Sequence, residues 1–259
     1  MTITSTANER VRLARALNQA SGRRRERAYL IEGVRLVEEA LRAGIVPRLV
    51  LADVEALRRT ERGEALVERL RPLGYLEVTE RVLASASETV TPQGVVAVVP
   101  LPERHLPGDA GPLVLVLDGV RDPGNLGTIL RAAEATGIVR VVAAVGCVDP
   151  FGPKVVRAGM GAHFHLDVLA EASWPDVGKL VEGRPTWLAT MRGGMLYDMV
   201  DWRRDSALIV GGEAAGASGE GAALATGRVS IPMAGRAESL NAAMAASVLV
   251  FEAARQRRT

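Results

Sequence analysis

Apolar positions along the chain form short runs separated by stretches of helical spacing, and the pattern divides near residue 105. In the first half, residues 8–20 read as a basic helix with Val11, Ala14 and Leu17 on one stripe. Tyr29-Leu30-Ile31 is a short strand, and Val34, Val37 and Leu41 mark a helix that stops at Gly44, a natural C′ glycine. Residues 46–51, 76–78 and 94–99 are further strands. From Pro100 to Pro112 the chain holds four prolines and two glycines, a composition that sustains neither helix nor central strand and predicts a linker.

The second half alternates more regularly. Residues 113–117 and 139–145 are continuous apolar runs, as parallel strands covered on both faces show. Residues 125–136 have helical spacing and stop at Gly137, and another helix runs over 153–161. Strands are expected at 165–169, 186–189, 207–210 and 228–231, before a long helix over 239–257. This alternation predicts an open, mostly parallel α/β sheet that binds ligands beyond the carboxyl ends of its strands.

A length of 259 residues suits one large domain or two modest ones, and the linker suggests 1–102, 103–112 and 113–259. No apolar run reaches the length of a membrane span. The first ten residues lack an apolar signal core, so a cytoplasmic protein is expected. A single cysteine, Cys147, forms no internal disulfide, and with three histidines it excludes a Cys/His zinc cluster. Of the 32 cationic residues 30 are arginine, and seven of these fall within residues 1–27 against two glutamates. A basic end on a nearly neutral body points to nucleic acid, because arginine forks match phosphate geometry; a solvated helix face is the plainer account.

Three loops carry candidate chemistry. Asp118 to Gly127 follows an apolar strand and leads into a helix, with Asn125 where a cap would sit and Arg131 six residues on. A helix start beside an arginine is a phosphate site, or simply a capped helix with a surface arginine. Val210 to Gly219 pairs Gly211 and Gly212 ahead of Glu213, yet has neither the dinucleotide fingerprint nor the Walker lysine. Ile231 to Asn241 leads into the last helix. Capping accounts for Ser239, whereas Asn241, one turn inside that helix, works against it. His163 and His165 alternate at what reads as a strand start and are expected to be structural. Cys147 is expected to be a small hydrophobe rather than a nucleophile. Ser218 sits in no nucleophile elbow, and Trp174, Trp187 and Trp202 form no regular stacking platform.

Together the loops are more specific than any one of them. DGVRDPGNLGTILRAAEATG (118–137), LIVGGEAAGAS (208–218) and VSIPMAGRAESLNAAMAASVLVFEAARQR (229–257) closely resemble, in order and separation, the three motifs of the SpoU (TrmH-type) RNA 2′-O-ribose methyltransferases of the SPOUT superfamily. RERAYLIEGVRLVEEALRAG (25–44) resembles the start of that family's N-terminal substrate-binding domain, so the likeness covers nearly the whole chain.

The resemblance implies a SPOUT-type α/β fold with a C-terminal deep trefoil knot and a small N-terminal α/β RNA-binding domain. It implies S-adenosylmethionine as methyl donor, no metal, and a homodimer with active sites at the subunit interface. By motif, Asn125, Arg131, Glu213, Ser239 and Asn241 carry catalysis, while Thr190, Gly211, Ile231, Met233 and Leu240 bind the donor. Leu240, Ala243, Met244, Ser247, Val248 and Phe251 give the last helix an apolar face suited to a partner subunit or to the core. Arg131 corresponds to the family's general base, although a guanidinium is a poor proton acceptor near neutrality; positioning a phosphate and stabilising the forming alkoxide suits it better. Arg121 and Gly159 depart from positions that are often glutamine and serine in relatives. The expected substrate is structured RNA, with ribosomal RNA ahead of transfer RNA. Rival classes are a non-catalytic RNA-binding or ribosome-assembly protein and an unrelated nucleotide-binding α/β enzyme; methyl transfer and donor binding respectively separate them.

Overall fold

The structure, a computed structural model, describes residues 2–89, 92–103, 111–138, 140–213, 216–236 and 238–258. Two compact units emerge, one comprising Met1–Leu101 with Phe151–Arg157, the other Pro102–Pro150 with Ala158–Thr259. Most of the expected linker, 103–112, lies outside the described residues.

The first unit runs α1 (Glu9–Ala16), α2 (Ala20–Glu26), β1 (Ala28–Glu32), α3 (Val34–Arg42), β2 (Leu49–Ala52), α4 (Val54–Leu57), α5 (Glu61–Leu70), β3 (Leu76–Glu77), α6 (Glu80–Ala86) and β4 (Val95–Pro100). Its sheet has the order β1-β4-β2-β3, antiparallel at both β4 pairings and parallel between β2 and β3. Val11, Ala14 and Leu17 are fully buried against Val82, Leu83, Val96 and Val98, as the stripe requires.

Two expectations need correction here. The single basic helix over 8–20 is two helices, because Arg23 turns inward and donates to the carbonyl oxygens of Leu17 (2.6 Å) and Asn18 (3.0 Å) beyond the end of α1. Gly22 permits that turn, since a Cβ there would overlap the Ala16 carbonyl. The strand expected at 46–51 begins only at Leu49, with Val46 65% exposed ahead of Pro47. Arg15, one of the seven arginines in 1–27, also serves the fold by donating to Ser85 O and Thr6 O.

The second unit holds β5 (Leu113–Asp118), α7 (Pro123–Ala135), β6 (Arg140–Ala144), β7 (Asp167–Ala172), α9 (Trp174–Val181), β8 (Thr186–Thr190), β9 (Met195–Leu196), β10 (Ser206–Gly211), α10 (Gly219–Leu224), β11 (Gly227–Ser230) and α11 (Ala242–Arg257). Helix α8 (Pro153–Gly159) spans the division between units. The seven strands have the order β7-β6-β5-β10-β8-β11-β9, and every pairing among the described residues is parallel. Val114, Val116, Val142 and Ile209 pack one face against Val177, Leu180 and Val181 of α9. Leu113, Leu115 and Leu117 have the opposite parity and are equally buried, so the apolar runs reflect a sheet covered twice.

His163 and His165 do not begin a strand. Ala162–Phe164 is a single 3-10 turn, and β7 starts at Asp167, where the Arg140 guanidinium of the neighbouring strand meets the Asp167 carboxylate at 2.7 Å. Among the described residues no helix is long and apolar enough to cross a membrane.

Candidate active site

The strand order reverses between β5 and β10: β5 leads outward to β6 and β7, while β8 and β11 lie on the far side of β10. A crevice beyond the carboxyl ends of the strands is expected at such a point, and the first two motif loops leave the sheet there. Asp118 closes β5 and pairs with Gly211 at the close of β10.

The first loop enters α7 through an Asp-Pro start. Asp122 is the cap, its Oδ1 accepting from Asn125 N at 2.7 Å, and Pro123 occupies the first turn without needing a donor. Asn125 is therefore not the cap but the third helical residue, which frees its side chain. Asp-Pro before an apolar helix was the sequence signal for this arrangement. The third loop shifts in the opposite sense. Helix α11 begins at Ala242 rather than 239, and Asn241 is its cap, Oδ1 accepting from Ala243 N (2.8 Å) and Met244 N (3.2 Å). Asn241 is thus no interior helix residue at odds with its propensity.

The three loops meet through one side chain. Asn125 donates from Nδ2 to Glu213 Oε1, while Asn125 Oδ1 accepts from Asn241 Nδ2 at 2.8 Å. The carboxylate can only accept, which fixes the orientation of the Asn125 amide and with it the donor role of Asn241. One residue from each loop thus forms a continuous polar chain at the carboxyl end of the sheet.

Arg131 and Ser239 stand outside this chain and are both exposed. Six residues at about 100° each carry Arg131 about 120° around α7 from Asn125, onto the exposed side with Thr128 and Ala135. Thr190 ends β8 beside Ser230 of β11, so Ile231 follows at the next position, and its hydroxyl donates to Gly193 O at 3.1 Å. Thr190, Gly211, Ile231, Met233 and Leu240 are all half-buried, neither core nor free surface.

Gly159 has a local reason: a Cβ there would stand 2.7 Å from the His163 ring. His163 is buried, and its Nε2–H donates to Pro150 O at 2.8 Å; burial pushes its pKa down to about 4. Cys147 is half-buried, its thiol donates to Leu117 O at 3.2 Å, and burial raises its pKa, which disfavours the nucleophilic thiolate.

A parallel sheet with convergent polar groups at its switch point has the form of a ligand-binding α/β protein. The sequence profile of the SpoU rRNA Methylase family matches residues 112–251, and that of the MRM3-like substrate binding domain matches residues 8–97. The chain belongs to the SpoU rRNA methylase family. It is 34% identical to the 23S rRNA (guanosine(2553)-2′-O)-methyltransferase RlmP of Bacillus subtilis, over 96% of this chain and 97% of that protein. It is 33% identical to the mitochondrial rRNA methyltransferase 3 of Homo sapiens, over 91% of this chain and 69% of that one. Among solved structures, the SpoU methyltransferase AviRb from Streptomyces viridochromogenes in complex with AdoMet superposes with a TM-score of 0.84 at 32% identity, covering 97% of this chain and 99% of that chain.

Proposed function

We propose that this chain transfers a methyl group from S-adenosylmethionine to a ribose 2′-hydroxyl of ribosomal RNA, with the large-subunit RNA favoured by the name of the Bacillus relative. The observation that carries the reading is the Asn125 amide held between Glu213 and Asn241, which joins all three motif loops in one polar chain. S-adenosylmethionine, when bound, supplies an electrophilic methyl carbon on a sulfonium centre. Thr190, Gly211, Ile231, Met233 and Leu240 would hold it along the ends of β8, β10 and β11.

The remaining work is positioning and proton removal. As the 2′-oxygen gained the methyl group its proton would pass to solvent or to a neighbouring RNA phosphate oxygen, and the carbon–sulfur electron pair would stay on sulfur. Asn125, Glu213, Ser239 and Asn241 orient the reacting ribose, and a fixed array of this kind lowers the barrier without reorganising during reaction. Arg131, exposed on α7, binds an RNA phosphate and offsets the charge of the forming alkoxide. The N-terminal unit selects the RNA, as its match to a substrate-binding domain suggests.

We further infer a homodimer and the trefoil knot of the family. The core-facing side of α11 is spent on Ala242, Ala246, Leu249, Val250 and Ala253, whereas Met244 and Phe251 remain 56% and 47% exposed. A bacterial relative that acts on ribosomal RNA supports a cytoplasmic setting. Label transfer from methyl-labelled S-adenosylmethionine to unmodified ribosomal and transfer RNA pools, followed by nucleoside analysis, tests the reading. A labelled 2′-O-methyl nucleoside in ribosomal RNA is expected; label on a base discards the ribose mechanism, and label in transfer RNA alone discards the substrate.

A further inference from the structure

Asp118, the last residue of β5, is buried at the point where β5 and β10 end side by side. We propose that Asp118 is the positioning residue for Glu213: it grips both ends of the loop that presents Glu213 to Asn125. The inference rests on the proposed methyl transfer for its catalytic consequence and on the geometry alone for its structural one.

At the near end of the loop, Gly212 N donates to the backbone oxygen of Asp118 at 2.8 Å. Gly212 lies so close to β5 that a Cβ would overlap the Gly119 carbonyl. At the far end, Asp118 Oδ2 accepts from Ser218 N at 2.6 Å and from the Ser218 hydroxyl at 2.9 Å. Glu213 is one residue beyond the first grip and five before the second. Gly216 N donates back to Gly212 O at 3.1 Å.

Asp118 is only 4% exposed, and burying a carboxylate is costly unless it is hydrogen-bonded; Oδ2 takes these two short bonds. The surroundings are shaped to admit it. Ser218 Oγ accepts from Gly221 N at 3.0 Å, and a Cβ on Gly221 would overlap Asp118 Oδ2. Capping the six-residue α10 is the ordinary purpose of such a contact, but a cap needs only the Ser218 hydroxyl, which already serves Gly221. The additional bond from Asp118 to Ser218 N fixes where the loop returns to the sheet. Asp118 also opens the loop that leads to Asn125, so both partners of the Asn125–Glu213 hydrogen bond are referenced to the same strand end.

The test is a double-mutant cycle on RNA methylation. Asp118→Asn is expected to lower kcat by about tenfold to a hundredfold, with donor affinity unchanged. In a Glu213→Ala background the same substitution should cause little further loss, because the residue it positions is gone. Losses that multiply, or a kcat that Asp118→Asn leaves intact, overturn the proposal. Should Asp118→Asn fail to fold, Asp118→Ala, which removes the acceptor of both Ser218 bonds without adding atoms, enters the same cycle. If the wild-type protein methylates no RNA, the proposed function fails while the positioning claim stays testable. The side-chain amide resonance of Asn125 should then move the same way in Asp118→Asn as in Glu213→Gln. A resonance unmoved by Asp118→Asn overturns it.

Discussion

Asn241 divides its side chain between two tasks: Oδ1 caps α11 through Ala243 N and Met244 N, and Nδ2 donates to Asn125 Oδ1 at 2.8 Å, from 116 positions away in the sequence. The two tasks can be separated. An aspartate at 241 keeps the cap and complements the helix dipole, but it has nothing to donate to Asn125. The Asn125 amide then cannot serve Glu213 and position 241 together. Asn241→Asp should therefore unfold within about 0.5 kcal/mol of wild type in urea, yet lose turnover by about tenfold or more. Asn241→Ala should lose the same turnover and also about 1 kcal/mol of stability. Equal turnover in wild type and Asn241→Asp would remove Asn241 from the reaction.

Arg131 lies apart from the polar chain, so its substitution should leave that chain intact. Arg131→Ala is expected to bind S-adenosylmethionine as wild type does and to lower kcat by about a hundredfold or more, as removal of a group that stabilises developing charge does. Arg131→Lys should rescue little of this, because a point charge does not replace a planar fork on phosphate. Calorimetric donor binding beside single-turnover methylation makes the comparison. An Arg131→Ala enzyme at wild-type rate would end the assignment.

The parts of this arrangement legible from sequence were those set by local pattern. Buried parallel strands read as apolar runs, and glycines such as Gly44 and Gly137 mark helix ends through their positive φ. Helix starts were less legible where several capping residues crowd together. Asp122 and Asn125, and again Ser239 and Asn241, are all good caps by type, and only the fold decides which one serves. Arg23 was illegible for a different reason, since an arginine that caps a neighbouring helix from inside looks the same in sequence as one that faces RNA. The motif resemblance named candidate site residues without indicating that Asn125 hydrogen-bonds both Glu213 and Asn241, because hydrogen bonds across 88 and 116 residues leave no local trace.

Gly159 and His163 should behave as one unit. A Cβ at 159 meets the imidazole at 2.7 Å, so Gly159→Ser is expected to cost about 1–3 kcal/mol through overpacking. In a His163→Ala background the space is open, and the same substitution should cost markedly less. Urea unfolding of the four proteins gives the coupling. Additive costs would show that position 159 is constrained by something other than the ring.

His163 also predicts how stability depends on pH. Its pKa in the fold is lowered to about 4 by burial, against about 6.5 in an unfolded chain. Between these values the unfolded state holds the extra proton, so stability is complete above about pH 6.5 and falls as pH drops toward 4. The full contribution is up to about 3 kcal/mol. In His163→Gln, where no group titrates, the fall over this window should flatten. Parallel pH profiles for the two proteins would show that His163 does not carry the effect.

The outer face of α11 makes the last prediction. Met244 and Phe251 lie two turns apart on the side away from the buried Ala246, Leu249 and Val250, with half-buried Val248 between them. In a twofold dimer each of these side chains is buried twice, at about 1.5 kcal/mol or more apiece. Phe251→Glu removes two aromatic side chains from such an interface and sets two carboxylates into it. The dimer should weaken by about a hundredfold or more, while unfolding of the isolated chain changes little because position 251 is exposed within it. Sedimentation velocity at micromolar protein reads the outcome, with a wild-type dimer and a monomeric variant expected. A wild-type monomer, or a variant that stays dimeric, would mean that this face of α11 is not where two copies meet.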